Sequence, residues 1–130
     1  MRFFLFFLFG SFFGQSQIIM VGPYLQDANP TSIHVMWETS LGQQSLVEYG
    51  QTVSLGSSAS GNTTLGFGVS QVHDTKIDGL LPNTRYYYRV KTQAATSPIY
   101  DFITPPNPSA EQSFNIVAMS DMQQDSQHPN

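Results

Sequence analysis

The sequence contains no cysteine. That excludes a disulfide framework and any metal held by thiolates. It is also poor in charge, with only five basic residues in 130. Apart from Arg2, these are Lys76, Arg85, Arg89 and Lys91, too few and too scattered for a nucleic-acid footprint or a polybasic lipid-binding segment. No apolar run approaches the roughly 20 residues needed to cross a bilayer as a helix. Between Val21 and Thr104 no segment places apolar residues at helical spacing. What remains is room for one ordinary domain, held together by a hydrophobic core alone.

Phenylalanine is abundant, but seven of its ten copies fall in the opening MRFFLFFLFGSFF. Arg2 precedes an apolar run from Phe3 to Phe9, and small polar residues follow. This is the charged start, apolar middle and small-residue exit of a secretory signal peptide, with cleavage expected after Ser16. The remaining chain is expected to be secreted, extracellular or periplasmic. No stable membrane insertion is expected once the signal is cut.

From residue 17 to 104 the pattern is that of short β-strands. In SIHVMWET, Ile33, Val35 and Trp37 alternate with His34, Met36 and Glu38, the period of a half-buried strand. HDTKI sets His73, Thr75 and Ile77 on one face, and TRYYYRV sets Tyr86, Tyr88 and Val90 inward. Turn signals separate these runs at Asp27–Pro30, Leu41-Gly42, Gly50, Gly61-Asn62, Asp78-Gly79 and Leu81–Asn83. Alternating strands between such turns predict an all-β antiparallel sandwich. Residues 55–68, rich in Ser, Gly and Thr, read as an irregular edge strand and loop.

The composition then changes. PPNPSAEQ cannot join a central sheet, because proline lacks the ladder donor, so residues 105–113 read as a linker. After it, Phe114–Met119 is almost continuously apolar, the pattern of a strand buried on both faces. A second kind of structure is therefore expected to start within residues 114–130.

Two features narrow the sandwich. Trp37 lies inward on an early strand, and GLLPNTRYYYRV resembles the tyrosine corner of fibronectin type III and related domains, with Tyr86 as its tyrosine. The ordered set PYLQDANPTSIHVMWET, VEYG, HDTKIDGLLPNTRYYYRV and FITPP resembles the N-terminal domain of purple acid phosphatases and related secreted metallophosphoesterases. In that family a fibronectin-like sandwich precedes an α/β catalytic domain. FNIVAMSDM stands where the first catalytic strand would end, so the resemblance implies that Asp121 is a metal ligand.

The same resemblance implies two metal ions in the full-length parent, iron paired with zinc, manganese or a second iron, and a phosphate ester as substrate. Such metals prefer anionic oxygen, clamp a phosphate between them and supply a hydroxide nucleophile. Many two-metal phosphoesterases carry Asp-x-His at this place. Here Gln123 replaces that His, as the purple acid phosphatase branch does. Later ligand stretches resembling GDxxY, GNH and GHxH do not occur in these 130 residues. The chain alone is therefore expected to be inactive and to hold no metal firmly. It reads as the N-terminal part of a secreted two-metal phosphoesterase.

Other polar residues have plainer readings. Asp125 and His128 fit a solvated loop, His34 a surface position, and His73 a satisfied residue inside a strand. Asn62-Thr63-Thr64 is a glycosylation sequon. The competing expectation is a secreted fibronectin-like binding or adhesion module with a disordered tail. It leaves the apolar strand after the linker unexplained, since an unpaired FNIVAM is an aggregation hazard. Oligomeric state is not legible.

Overall fold

The structure, a computed structural model, describes residues 17–93, 95–111 and 113. Among them the regular elements are all strands, in chain order β1 (Ile19–Asn29), β2 (Ser32–Thr39), β3 (Leu46–Gly50), β4 (Ser57–Ser60), β5 (Asn62–Leu65), β6 (Gln71–Asp78), β7 (Arg85–Thr92), β8 (Ala95–Thr96) and β9 (Tyr100–Ile103). They form two antiparallel sheets. One runs β1-β2-β6-β5 and the other β4-β3-β7-β8, with β9 also paired to β7. This is the expected all-β sandwich. No helix among the described residues is long and apolar enough to cross a membrane.

The alternation read from the sequence decides what fills the core. Ile33, Val35 and Trp37 of β2 and Ile77 of β6 face Val47 of β3, Tyr86, Tyr88 and Val90 of β7 and Phe102 of β9, all nearly inaccessible to solvent. Across the β2–β6 ladder, Ile33 stands opposite Ile77, Val35 opposite Thr75, and Trp37 opposite His73. A one-residue slip would turn this whole set outward, so burial fixes the register. Trp37 also ties the sheets together, because its indole N–H donates to Thr92 Oγ1 of β7 at 3.1 Å.

Two segments depart from expectation. The Asp27–Pro30 turn signal belongs mostly to a strand. β1 continues to Asn29, with a register shift between Gln26 and Asn29 and Asp27 at φ 46°. A bulge absorbs the turn-forming residues, and the reversal itself comes only at Pro30-Thr31. Residues 55–68 hold two short edge strands, one per sheet. β4 borders β3, β5 borders β6, and Gly61 alone carries the chain between the sheets. A Cβ at Gly61 would run into the Asp74 carbonyl and Thr75, so only glycine fits this crossing.

The registers also sort the loops between two ends. Gln17, the Ser40–Ser45 loop, the Gly66–Ser70 loop and the β7–β8 turn lie at one pole. Pro30-Thr31, the Gln51–Gly56 loop, Gly79–Thr84 and the exit at Thr104 lie at the other.

Candidate functional site

Three arrangements carry polar chemistry. The first surrounds His73, which is fully buried. Its Nε2 lies 2.8 Å from Thr39 Oγ1, and its Nδ1 lies 2.8 Å from Ser45 Oγ and 3.2 Å from Thr63 Oγ1. Thr39 spends its one hydroxyl proton on the Leu41 carbonyl at 2.9 Å. Nε2 must therefore donate to Thr39, and since the Thr63 hydroxyl donates to the Gln43 carbonyl at 2.8 Å, Nδ1 accepts from Ser45. Burial pushes the His73 pKa below its ordinary value. Hydroxyls and one indole enclose this ring, so it is a satisfied strand residue, as the sequence reading expects.

The second is a charged group on the outer face of the β3–β7 ladder. Arg89 Nε donates to Glu48 Oε2 at 2.6 Å, and Lys91 Nζ stands 3.5 Å from Glu48 Oε1. The Arg89 hydrogen bond holds the Glu48 carboxyl below its usual range, against the opposing effect of burial. A cleft of about 260 Å³ beside it is lined by Glu48, Arg89 and the Ser54–Ser58 strip. Both charges that face it are already engaged with each other. His34 is likewise paired, with Nδ1 2.7 Å from Asp74 Oδ1.

The third fixes where the chain leaves. The Tyr86 hydroxyl accepts from the Leu81 amide at 3.0 Å, which is the tyrosine corner expected from GLLPNTRY. Leu80, not Leu81, is the leucine buried there. Thr104, nearly fully buried, accepts from the Thr84 amide at 2.9 Å and donates to the Leu81 carbonyl at 2.6 Å. The Asn83 amide then donates to the Pro105 carbonyl at 3.1 Å. The chain thus leaves the sandwich under restraint, with Pro105 held at the corner. Sequence reasoning missed Thr104, because a threonine before two prolines carries no pattern of its own.

Among the described residues, no three His, Asp or Glu side chains come together as a metal site. The described residues do not fit a two-metal centre. Asp121, Asp125, His128 and residues 1–16 lie outside them.

The family model described as "Purple acid Phosphatase, N-terminal domain" matches residues 21–104. The search among curated proteins gave no match. Among solved structures, PhoD is similar over 68% of this chain at 21% identity and a TM-score of 0.55, and the match spans 19% of the PhoD chain. The sensor domain of the anti-sigma factor RsgI4 of Pseudobacteroides cellulosolvens is similar over 77% of this chain and 100% of its own, at 17% identity and a TM-score of 0.53. At such identities these likenesses concern the fold alone.

Proposed function

Because the chain belongs to the family of purple acid phosphatase N-terminal domains, we propose that it is the leading part of an exported two-metal phosphoesterase acting on phosphate monoesters. The family match over residues 21–104 carries this reading. Residues 1–16 direct export, and Asp121 supplies the first metal ligand of a catalytic domain that begins at Phe114. The described residues take no catalytic step. Their part is positional: the Tyr86–Thr104–Pro105 clamp aims the linker in one direction.

This division of labour has a physical basis. A metal-binding carboxylate acts well only when rigid elements hold it in place. A linker that starts from a hydrogen-bonded corner transmits the sandwich's orientation better than one leaving a frayed strand. The two metals of the parent supply Lewis-acid and hydroxide chemistry when bound.

The test is the transcript beyond codon 130 together with the metal content of the protein it encodes. The reading predicts further His- and Asp-bearing stretches within about one more domain length, and firmly bound metal in the full product. A reading frame that closes without such stretches, or a metal-free full product, overturns it.

A further inference from the structure

The chain holds three Asn-x-Ser/Thr triplets, and proline closes two of them, Asn29-Pro30-Thr31 and Asn107-Pro108-Ser109. Asn62-Thr63-Thr64 is therefore the one open sequon in the sequence. The fold places it on β5, where Asn62 and Thr64 are exposed and Thr63 is not. Thr63 turns inward, with its hydroxyl 3.2 Å from His73 Nδ1, so strand alternation turns Asn62 and Thr64 outward. The Asn62 carboxamide has no hydrogen-bond partner among the described residues. A group attached there displaces no contact of the sandwich.

The position on the sheets gives such a group a purpose. β4 and β5 form one border of the sandwich from Ser57 to Leu65, each paired on one side and joined through Gly61. Neither contains a proline or a charged residue, and both keep an unbroken register with their neighbours. Regular, uncharged edges of this kind are templates for pairing with another chain. The opposite border is guarded by other means. β1 carries Pro23, which lacks an N–H, and register shifts that break its outline. Pro98 interrupts the border between β8 and β9. The border without these devices is the one that carries the sequon.

We propose that Asn62 carries an N-linked glycan that shields the β4–β5 border from pairing with other chains. This rests on the export reading, because the sugar donor, an oligosaccharide held on a lipid pyrophosphate, is met on that route. The bond formed joins Asn62 Nδ2 to the anomeric carbon of the first sugar. The bond broken joins that carbon to the pyrophosphate oxygen, which leaves with the electron pair, and the amide gives up one proton. A bulky, hydrated group at this place keeps a second strand from the free N–H and C=O groups on either side of Gly61.

The test starts with the protein from the cells that make it naturally, recovered separately from the medium and from within. Its peptides are treated with peptide-N-glycosidase in heavy-oxygen water, which marks each asparagine that bore a glycan. The proposal expects the mark at position 62 in the exported protein, its loss in Asn62→Gln and Thr64→Val, and its retention in Thr64→Ser. On size-exclusion chromatography at rising concentration, the two unglycosylated variants should shift to larger species, while Thr64→Ser elutes with the natural protein. Unchanged Trp37 emission verifies the fold in each. An unmarked Asn62 in exported protein overturns the proposal and leaves the export reading standing. Unmarked protein found only within the cells removes both. A marked Asn62 whose loss leaves elution unchanged overturns the shielding role.

Discussion

The His73 imidazole lies nearly flat on the Trp37 indole, with ring centroids 4.8 Å apart and planes 11° apart. The two residues stand directly opposite each other across the β2–β6 ladder. The buried stack makes the stability of the sandwich depend on proton uptake by one ring. Because burial lowers the folded pKa of His73, the unfolded chain takes up this proton first as pH falls from about 6.5. The neutral ring's contribution is whole above that pH and is lost as pH falls through the folded-state value. Urea midpoints followed by the emission of Trp37, the one tryptophan, should fall on acidification from pH 7 to 5. His73→Gln should flatten that slope. Glu48 acts separately, in the carboxylate range, where its lowered pKa makes stability fall further with acid.

The tyrosine corner gives a second expectation. Tyr86→Phe removes the acceptor from the part-buried Leu81 amide and should cost about 0.5–1.5 kcal/mol. Thr104→Val removes both the acceptor for Thr84 and the donor to Leu81. It should cost a similar amount and speed hydrogen exchange at the Asn83 amide, whose partner is Pro105. Unchanged protection at Asn83 would show that the exit is held by something other than Thr104.

At the crossing between sheets, Gly61→Ala places a methyl against the Asp74 carbonyl. Overpacking of this kind costs about 1–3 kcal/mol. The loss should concentrate in β4 and β5, visible as faster amide exchange there than in β2 and β7. A thermal scan showing no change would contradict the close approach.

Beside that crossing, the Thr75 hydroxyl is buried without a hydrogen-bond partner. Thr75→Val keeps the shape and removes the unsatisfied group, so it should raise stability by about 1 kcal/mol. A loss of stability would mean that the hydroxyl is satisfied in solution.

The inward faces of β2, β6 and β7 were legible because a two-residue period admits one reading once a core must form. Ile33, Val35, Trp37, His73, Ile77, Tyr86, Tyr88 and Val90 all lie where alternation puts them. Tyr86 was legible as a corner because its leucine, proline and threonine precede it in fixed order. The crossing at Gly61 was not, since the Ser- and Gly-rich stretch around it has no apolar period to reveal two strands. Nor were the partners of His73. Thr39, Ser45 and Thr63 come from three separate strands and loops, and small hydroxyl residues leave no trace of the fold that gathers them.

The proposed function makes its sharpest demand on Asp121, and one comparison tests it most directly. Hydrolysis of an aryl phosphate and bound metal should be measured in the full-length protein and in its Asp121→Ala form, with Trp37 emission as the check on the sandwich. The account predicts that activity and metal are lost together while the sandwich emission stays unchanged. Near-normal turnover with full metal content in Asp121→Ala would contradict it.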